Sequence, residues 1–144
     1  MKRRIGREKI LQLLFQIDLA KADADEVIHT MVNETELNIQ NLDFIKDRVY
    51  GVLEQLEIID KTLIQYLKSW TINRLSIIDR AILRMSVYEF IYKNDVPISV
   101  TINEAIELSK TFSTSDSSKF INGVLGSMIK EHPEWEQEKV KLKE

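Results

Sequence analysis

Apolar residues recur along the chain at intervals of three and four, with no sustained alternation of the strand type, so the pattern predicts an all-α protein. The first segment, residues 6–20, places Ile10, Leu14 and Ile17 on one face with Leu11 and Phe15 beside them. Asp23 with Glu26 three residues on has capping-box spacing and predicts a second helix striped by Val27, Ile28, Met31 and Val32. Asn41 is the expected cap of a third, which carries Ile45, Val49, Val52, Leu53 and Leu56. A shorter segment with Ile59, Leu63 and Leu67 follows and ends near Trp70.

Ser76 and Asp79 repeat the capping-box spacing and open a helix expected to turn Ile78, Ile82, Met85, Tyr88 and Ile91 inward. The stretch Asn94-Asp95-Val96-Pro97 stops it, since proline lacks an amide donor and restricts the residue before it. Ile102, Ala105, Ile106 and Leu108 mark the next helix, which runs into the polar residues 113–118, the longest loop-like stretch. Phe120, Ile121, Val124, Leu125 and Met128 mark a last packed helix, where Gly123 and Gly126 are expected to let a neighbour approach closely. The tail from Pro133 alternates in charge and is expected to fray. The prediction is a compact bundle of about seven helices, one domain over residues 1–144, in two packed sub-bundles at about 1–70 and 71–132. The break falls around Ser69-Trp70-Thr71, with Trp70 either at the break or plugging the interface between the halves.

Composition narrows the chemistry. With 44% hydrophobic and 30% charged residues over 144 positions, a globular chain with a real core is expected rather than a disordered or membrane-spanning one. Polar Gln12, Gln16 and Asp18 interrupt the apolar stretch behind the basic start, so no signal-peptide core can be drawn and a cytoplasmic location is expected. Absence of cysteine removes disulfides, thiolate ligands and a cysteine nucleophile, and His29 and His132 are too isolated to build a metal shell. No metal or cofactor is expected. Glu104 and Glu107 sit on adjacent helical turns, but no histidine, metal or nucleophile accompanies them, so they read as acids favouring a helix start rather than as catalytic carboxylates.

The formal charge of −3 conceals an asymmetry. Residues 1–21 carry six bases (Lys2, Arg3, Arg4, Arg7, Lys9, Lys21) against Glu8 and Asp18, whereas residues 23–60 carry ten acids against Lys46 and Arg48. A basic arm on an acidic body points to a local anionic partner, because the distributed acids repel a polyanion elsewhere. Arg3, Arg4 and Arg7 are three and four apart, which puts their guanidinium groups on one side of an early-starting helix. Arginine suits phosphate because its planar fork donates in pairs and its face stacks on bases.

Four blocks then carry a family resemblance. These are Arg3-Arg4-Ile5-Gly6-Arg7-Glu8 through Gln12 and Phe15-Gln16; Asp79-Arg80-Ala81-Ile82-Leu83-Arg84 with Tyr88-Glu89; Val96-Pro97 with Ile102-Asn103-Glu104-Ala105-Ile106-Glu107-Leu108-Ser109-Lys110; and Lys119-Phe120-Ile121-Asn122-Gly123-Val124-Leu125. In order and spacing they resemble the NusB family of bacterial transcription antitermination factors, while residues 23–70 match only in helical pattern. Gly6 and Ser109 stand where the family often has alanine.

The resemblance implies a seven-helix, non-enzymatic RNA-binding protein that pairs with NusE, a small-subunit ribosomal protein, on boxA-type single-stranded RNA. The pair then joins the elongating RNA polymerase with other Nus factors and promotes read-through in ribosomal RNA operons. The arginine-rich motif falls on Arg3, Arg4 and Arg7 with Lys2 alongside, and the resemblance sets Ser115, Asp116, Ser117 and Ser118 along the same RNA path. Asp79, expected to be exposed, and Phe15 are the candidates for the NusE-facing surface. The alternative is an RNA-binding accessory subunit of a ribosomal RNA methyltransferase, since similar helical domains occur fused to such enzymes.

Overall fold

The computed structural model describes residues 3–35, 38–68 and 71–143. Lys2, Ser69 and Trp70, and with Trp70 its expected role between the halves, lie outside the described residues. Among the described residues eight α-helices follow one another: α1 (Arg3–Ala20), α2 (Ala24–Glu34), α3 (Ile39–Glu54), α4 (Leu56–Ile64), α5 (Ile77–Tyr92), α6 (Ile98–Phe112), α7 (Ser115–Glu131) and α8 (Pro133–Lys143). One turn of 3-10 helix, Ile72–Arg74, leads into α5, and no strand occurs among the described residues. None of the described helices is long and apolar enough to cross a membrane.

Local chemistry sets most of the helix starts. The Asp23 carboxylate accepts the Glu26 amide at 3.1 Å, and Ser76 Oγ accepts the Asp79 amide at 3.1 Å, both as the capping spacing predicts. Asn38 rather than Asn41 caps α3: its Oδ1 accepts the Asn41 amide at 2.8 Å, so the helix begins three residues earlier than expected. Pro97 stands at the N-cap position of α6, where its missing amide is no loss. Thr114 caps α7 through the Ser117 amide at 3.0 Å, which shortens the expected loop over residues 113–118 to two residues.

α5 is the central rod. It is buried on almost every side, through Ala81, Ile82, Leu83, Met85, Val87, Tyr88 and Phe90, with Ile78 and Ile91 only half-buried. Burial on almost every side marks a helix at the centre of a core, and α5 packs against α1, α3 and α4 as well as α6 and α7. One continuous apolar cluster therefore runs from Ile10 to Met128.

The tail expected to fray continues as α8. Trp135 stacks on Phe90, ring centroids 5.8 Å apart, and on His132 at 4.1 Å. Lys139, only 3% exposed, reaches the end of α5, where Nζ donates to the backbone carbonyls of Glu89 (3.1 Å) and Lys93 (2.6 Å). Those carbonyls lie at the negative end of the helix dipole and already accept the Lys93 and Val96 amides, so the lysine adds a second, charged donor to each. Burial in turn lowers the Lys139 pKa.

The glycines reverse the expectation for close approach. A Cβ at Gly123 or Gly126 meets nothing within 4 Å, whereas one at Gly51 overlaps the Tyr88 ring and one at Gly6 comes within 3.0 Å of Phe44. Gly123→Ala should therefore stabilise the protein by about 0.5–1 kcal/mol through helix propensity. Gly51→Ala should instead lower the midpoint of urea unfolding, because the ring it meets is buried and can shift only at a packing cost.

Candidate nucleic-acid interface

The N-terminal turn of α1 presents three arginines in three different states. Arg3 is exposed and has no acidic partner among the described residues. Arg4 is exposed but paired with Glu104 of α6, Nε to Oε2 at 3.0 Å and Nη2 to Oε1 at 3.3 Å. That carboxylate raises the Arg4 pKa, chiefly through the hydrogen bond. Arg7 is 5% exposed, and its Nη2 lies 3.1 and 3.0 Å from the two oxygens of Glu89 on α5. Arg7 thus departs from the free surface cation expected: its Nη2 group faces inward and is spent on a buried carboxylate.

Glu89 gathers further partners. Arg48 of α3 donates from Nε at 3.1 Å, and Thr101 of α6 donates its hydroxyl at 2.9 Å. Arg48 also donates to Asp47 at 3.0 Å, and Asp47 accepts the Tyr88 hydroxyl at 3.2 Å and lies 3.3 Å from Lys93 Nζ. Every buried side-chain polar atom among the described residues is satisfied, which is the condition under which a low-dielectric polar network holds together. The linked group contains Arg7, Arg48 and Lys93 against Glu89 and Asp47, so its bases outnumber its acids by one. That surplus favours an anion at this end of the molecule.

Phe44 of α3 joins the cluster to the surface. The Arg3 and Arg48 guanidinium carbons each lie 4.1 Å from its ring centroid, and Arg7 lies at 5.4 Å. Gly6 leaves room for the ring, which gives a physical reason for the first departure noted from the family resemblance. The second departure, Ser109, is buried and shares a 2.7 Å hydrogen bond with Ser118.

The other expected site residues divide. Asp79, expected at an exposed partner surface, is corrected: it is buried, and its oxygens accept the hydroxyls of Ser113 (3.0 Å) and Ser117 (2.8 Å). It ties the start of α5 to the α6–α7 turn. Ser117 and Ser118 are likewise turned into the protein, while Ser115 and Asp116 remain exposed on the first turn of α7. Phe15 is half-buried on α1. No hydrogen bond or ion pair among the described residues joins the α7 start to Arg3 or Arg4. Glu104 and Ser113, which touch the two regions, are nine residues apart on α6, roughly 14 Å at the helical rise.

Sequence reasoning missed Arg48, Phe44 and Thr101. The signal for Arg48 was its place in the apolar stripe Ile45, Val49 and Val52, and for Glu89 its place in the run Val87, Tyr88 and Phe90. A charged residue in such a position is rarely buried unless paired.

This helical frame with its arginine-bearing N-terminal end is that of a small all-α protein with a cationic surface patch. The model described as the NusB family matches residues 4–130, and the chain belongs to that family. Among similar proteins, the transcription antitermination protein NusB of Bacillus pumilus (strain SAFR-032) is 47% identical over 128 residues, covering 89% of this chain and 95% of that one. That of Symbiobacterium thermophilum is 44% identical over 138 residues, 90% of each chain. Among solved structures, T. maritima NusB aligns with a TM-score of 0.89 at 35% identity over 98% of both chains. A structure described as antitermination factors NusB and NusE in complex with dsRNA aligns at 0.82, 25% identity, covering 90% of this chain and 96% of that one. The chain is thus a transcription antitermination factor, a role that is not enzymatic.

Burial and Asp47 push the Tyr88 phenol up to about 12. A group protonated more tightly in the folded state stabilises it fully below the unfolded value near pH 10, and that contribution is lost as pH rises through about 12. Tyr50 and Tyr66, also near 12, share the window. Urea midpoints should therefore fall above about pH 10, and Tyr88→Phe should make that fall shallower.

Proposed function

We propose that this chain binds boxA-type single-stranded RNA jointly with NusE, a small-subunit ribosomal protein. In this reading it acts in the cytoplasm with RNA polymerase and other Nus factors to promote read-through in ribosomal RNA operons. The observation that carries the proposal is Arg3, an exposed guanidinium without an acidic partner among the described residues, set over a cluster with surplus positive charge. Arg4 adds a second cation, released when phosphate displaces Glu104. Membership of the NusB family and the fold shared with a NusB in complex with NusE and RNA support the same assignment.

The RNA path runs from Arg3 and Arg4 toward the exposed Ser115 and Asp116 of α7. Phe15 of α1 belongs to the NusE-facing side. One short cationic patch on a net-negative chain offers few phosphate contacts, so RNA affinity alone is low and NusE raises it by enlarging the footprint. Linkage then requires RNA to raise NusE affinity by the same factor.

The test is a titration of boxA-type and scrambled RNA, with and without NusE, over a range of salt. Replacing Arg3 and Arg4 by alanine should flatten log K against log salt by up to about 1.4, near 0.7 for each lost phosphate contact. Arg7 must be left intact, because its loss exposes the Glu89 cluster rather than an RNA contact. Asp116→Asn should tighten binding by a few tenths to about 1 kcal/mol at low salt. An unchanged slope in the folded double variant contradicts the proposal.

A further inference from the structure

Phe44 lies on α3, and none of the contacts discussed so far gives it a part in recognition. Arg48 is buried and Arg3 is exposed, and each places its guanidinium carbon 4.1 Å from the Phe44 ring centroid, so the ring links an inner cation to an outer one. The ring is 7% exposed and Arg3 is exposed, which makes the arginine its lid. The inner cation is fixed, because Arg48 is hydrogen-bonded to both Glu89 and Asp47. Arg3 and Gly6 are three apart on α1, and the missing Cβ at Gly6 lets the ring lie against the helix directly below Arg3.

We propose that Phe44 is a positioning residue that holds the Arg3 guanidinium flat and edge-outward for an RNA phosphate, through a relay that runs from Glu89 to Arg48 to Phe44 to Arg3. The proposal deepens, and rests on, the RNA-binding reading above. The way Arg3 is held matters. Arg4 is held by Glu104, a contact that occupies N–H donors at Nε and Nη2 and opposes a second anion. A ring holds Arg3 by its face, so the N–H fork stays free in the plane of the group, where phosphate oxygens bind in pairs. An aromatic platform also carries no charge to be displaced, and it orders a long side chain before the ligand arrives.

The experiment is an anisotropy titration of boxA-type single-stranded RNA with full-length protein carrying Arg3→Ala, Phe44→Leu, both, or Phe44→Tyr. The Arg3 Nε–H resonance of each RNA-free protein is recorded in parallel. Phe44→Leu keeps an apolar side chain in the core and removes the ring face. It should weaken RNA binding roughly two- to fivefold, the range of an exposed cation–ring contact, and should abolish the ring-current shift of the Arg3 signal. The double variant should bind no more weakly than Arg3→Ala alone, and Phe44→Tyr should restore both affinity and shift. Full wild-type affinity in folded Phe44→Leu, or losses that multiply in the double variant, would overturn the relay while leaving the RNA reading standing. Wild-type affinity in Arg3→Ala would overturn the RNA reading itself and the relay with it. Should Phe44→Leu not fold, the wild-type resonance decides: an Arg3 Nε–H signal without a ring-current shift sinks the proposal.

Discussion

The Glu89 carboxylate, 3% exposed, accepts hydrogen bonds from Arg7 on α1, Arg48 on α3 and Thr101 on α6, so four helices converge on two oxygen atoms. The backbone carbonyl of the same residue accepts Lys139 of α8. Moving these charges out of water is costly, and the attraction between them offsets that cost only where donors and acceptors match, as they do here. Apolar faces tolerate sliding past one another. A carboxylate with four fixed donor bonds does not, so Glu89 sets the register of α1 against α3, α5 and α6, and with it the place where the N-terminal arginines emerge.

That register explains why three neighbouring arginines differ. Residues 3, 4 and 7 lie within about one helical turn, and where each ends up depends on what α3, α5 and α6 place opposite it. Arg7 meets a buried acid and becomes part of the core. Arg4 meets Glu104 at the surface and is held there reversibly. Arg3 meets only the face of Phe44 and keeps its donors outward. The same division recurs at the α6–α7 turn, where Asp79 draws Ser113 and Ser117 inward and leaves Ser115 and Asp116 to solvent. Charge in the sequence and charge available to a ligand are therefore different quantities, and packing decides between them.

Much of the fold is legible in the chain. Period-3.6 stripes located the helices, Asp23 and Ser76 marked two of their starts, and the stretch ending in Pro97 marked the stop of α5, for local steric and hydrogen-bonding reasons. Long-range features were not legible. Asn38 was passed over as a cap because Asn41, three residues on, has the same chemistry. α8 was read as fraying because alternating charge hides one lysine that spans 46 residues of sequence to the end of α5. The glycines misled for a related reason: Gly123 and Gly126 look like contact points on a helix face, yet the glycines that need the space are Gly6 and Gly51, whose neighbours are aromatic rings from other helices. In the site, the arginine cluster was visible and its allocation was not, since pairing of Arg7 with Glu89 crosses 82 residues. The clue that was available is a charged residue inside an apolar stripe, as at Arg48 and Glu89.

The most direct test of this account is urea unfolding of Glu89→Gln. Glutamine keeps the shape and one acceptor but removes the charge, leaving two buried guanidinium groups without their shared counter-ion. The account predicts a loss of about 3–5 kcal/mol, the scale for breaking a buried ion pair from one side. A Glu89→Gln protein within about 0.5 kcal/mol of wild type, with an unchanged dependence on urea, would contradict it.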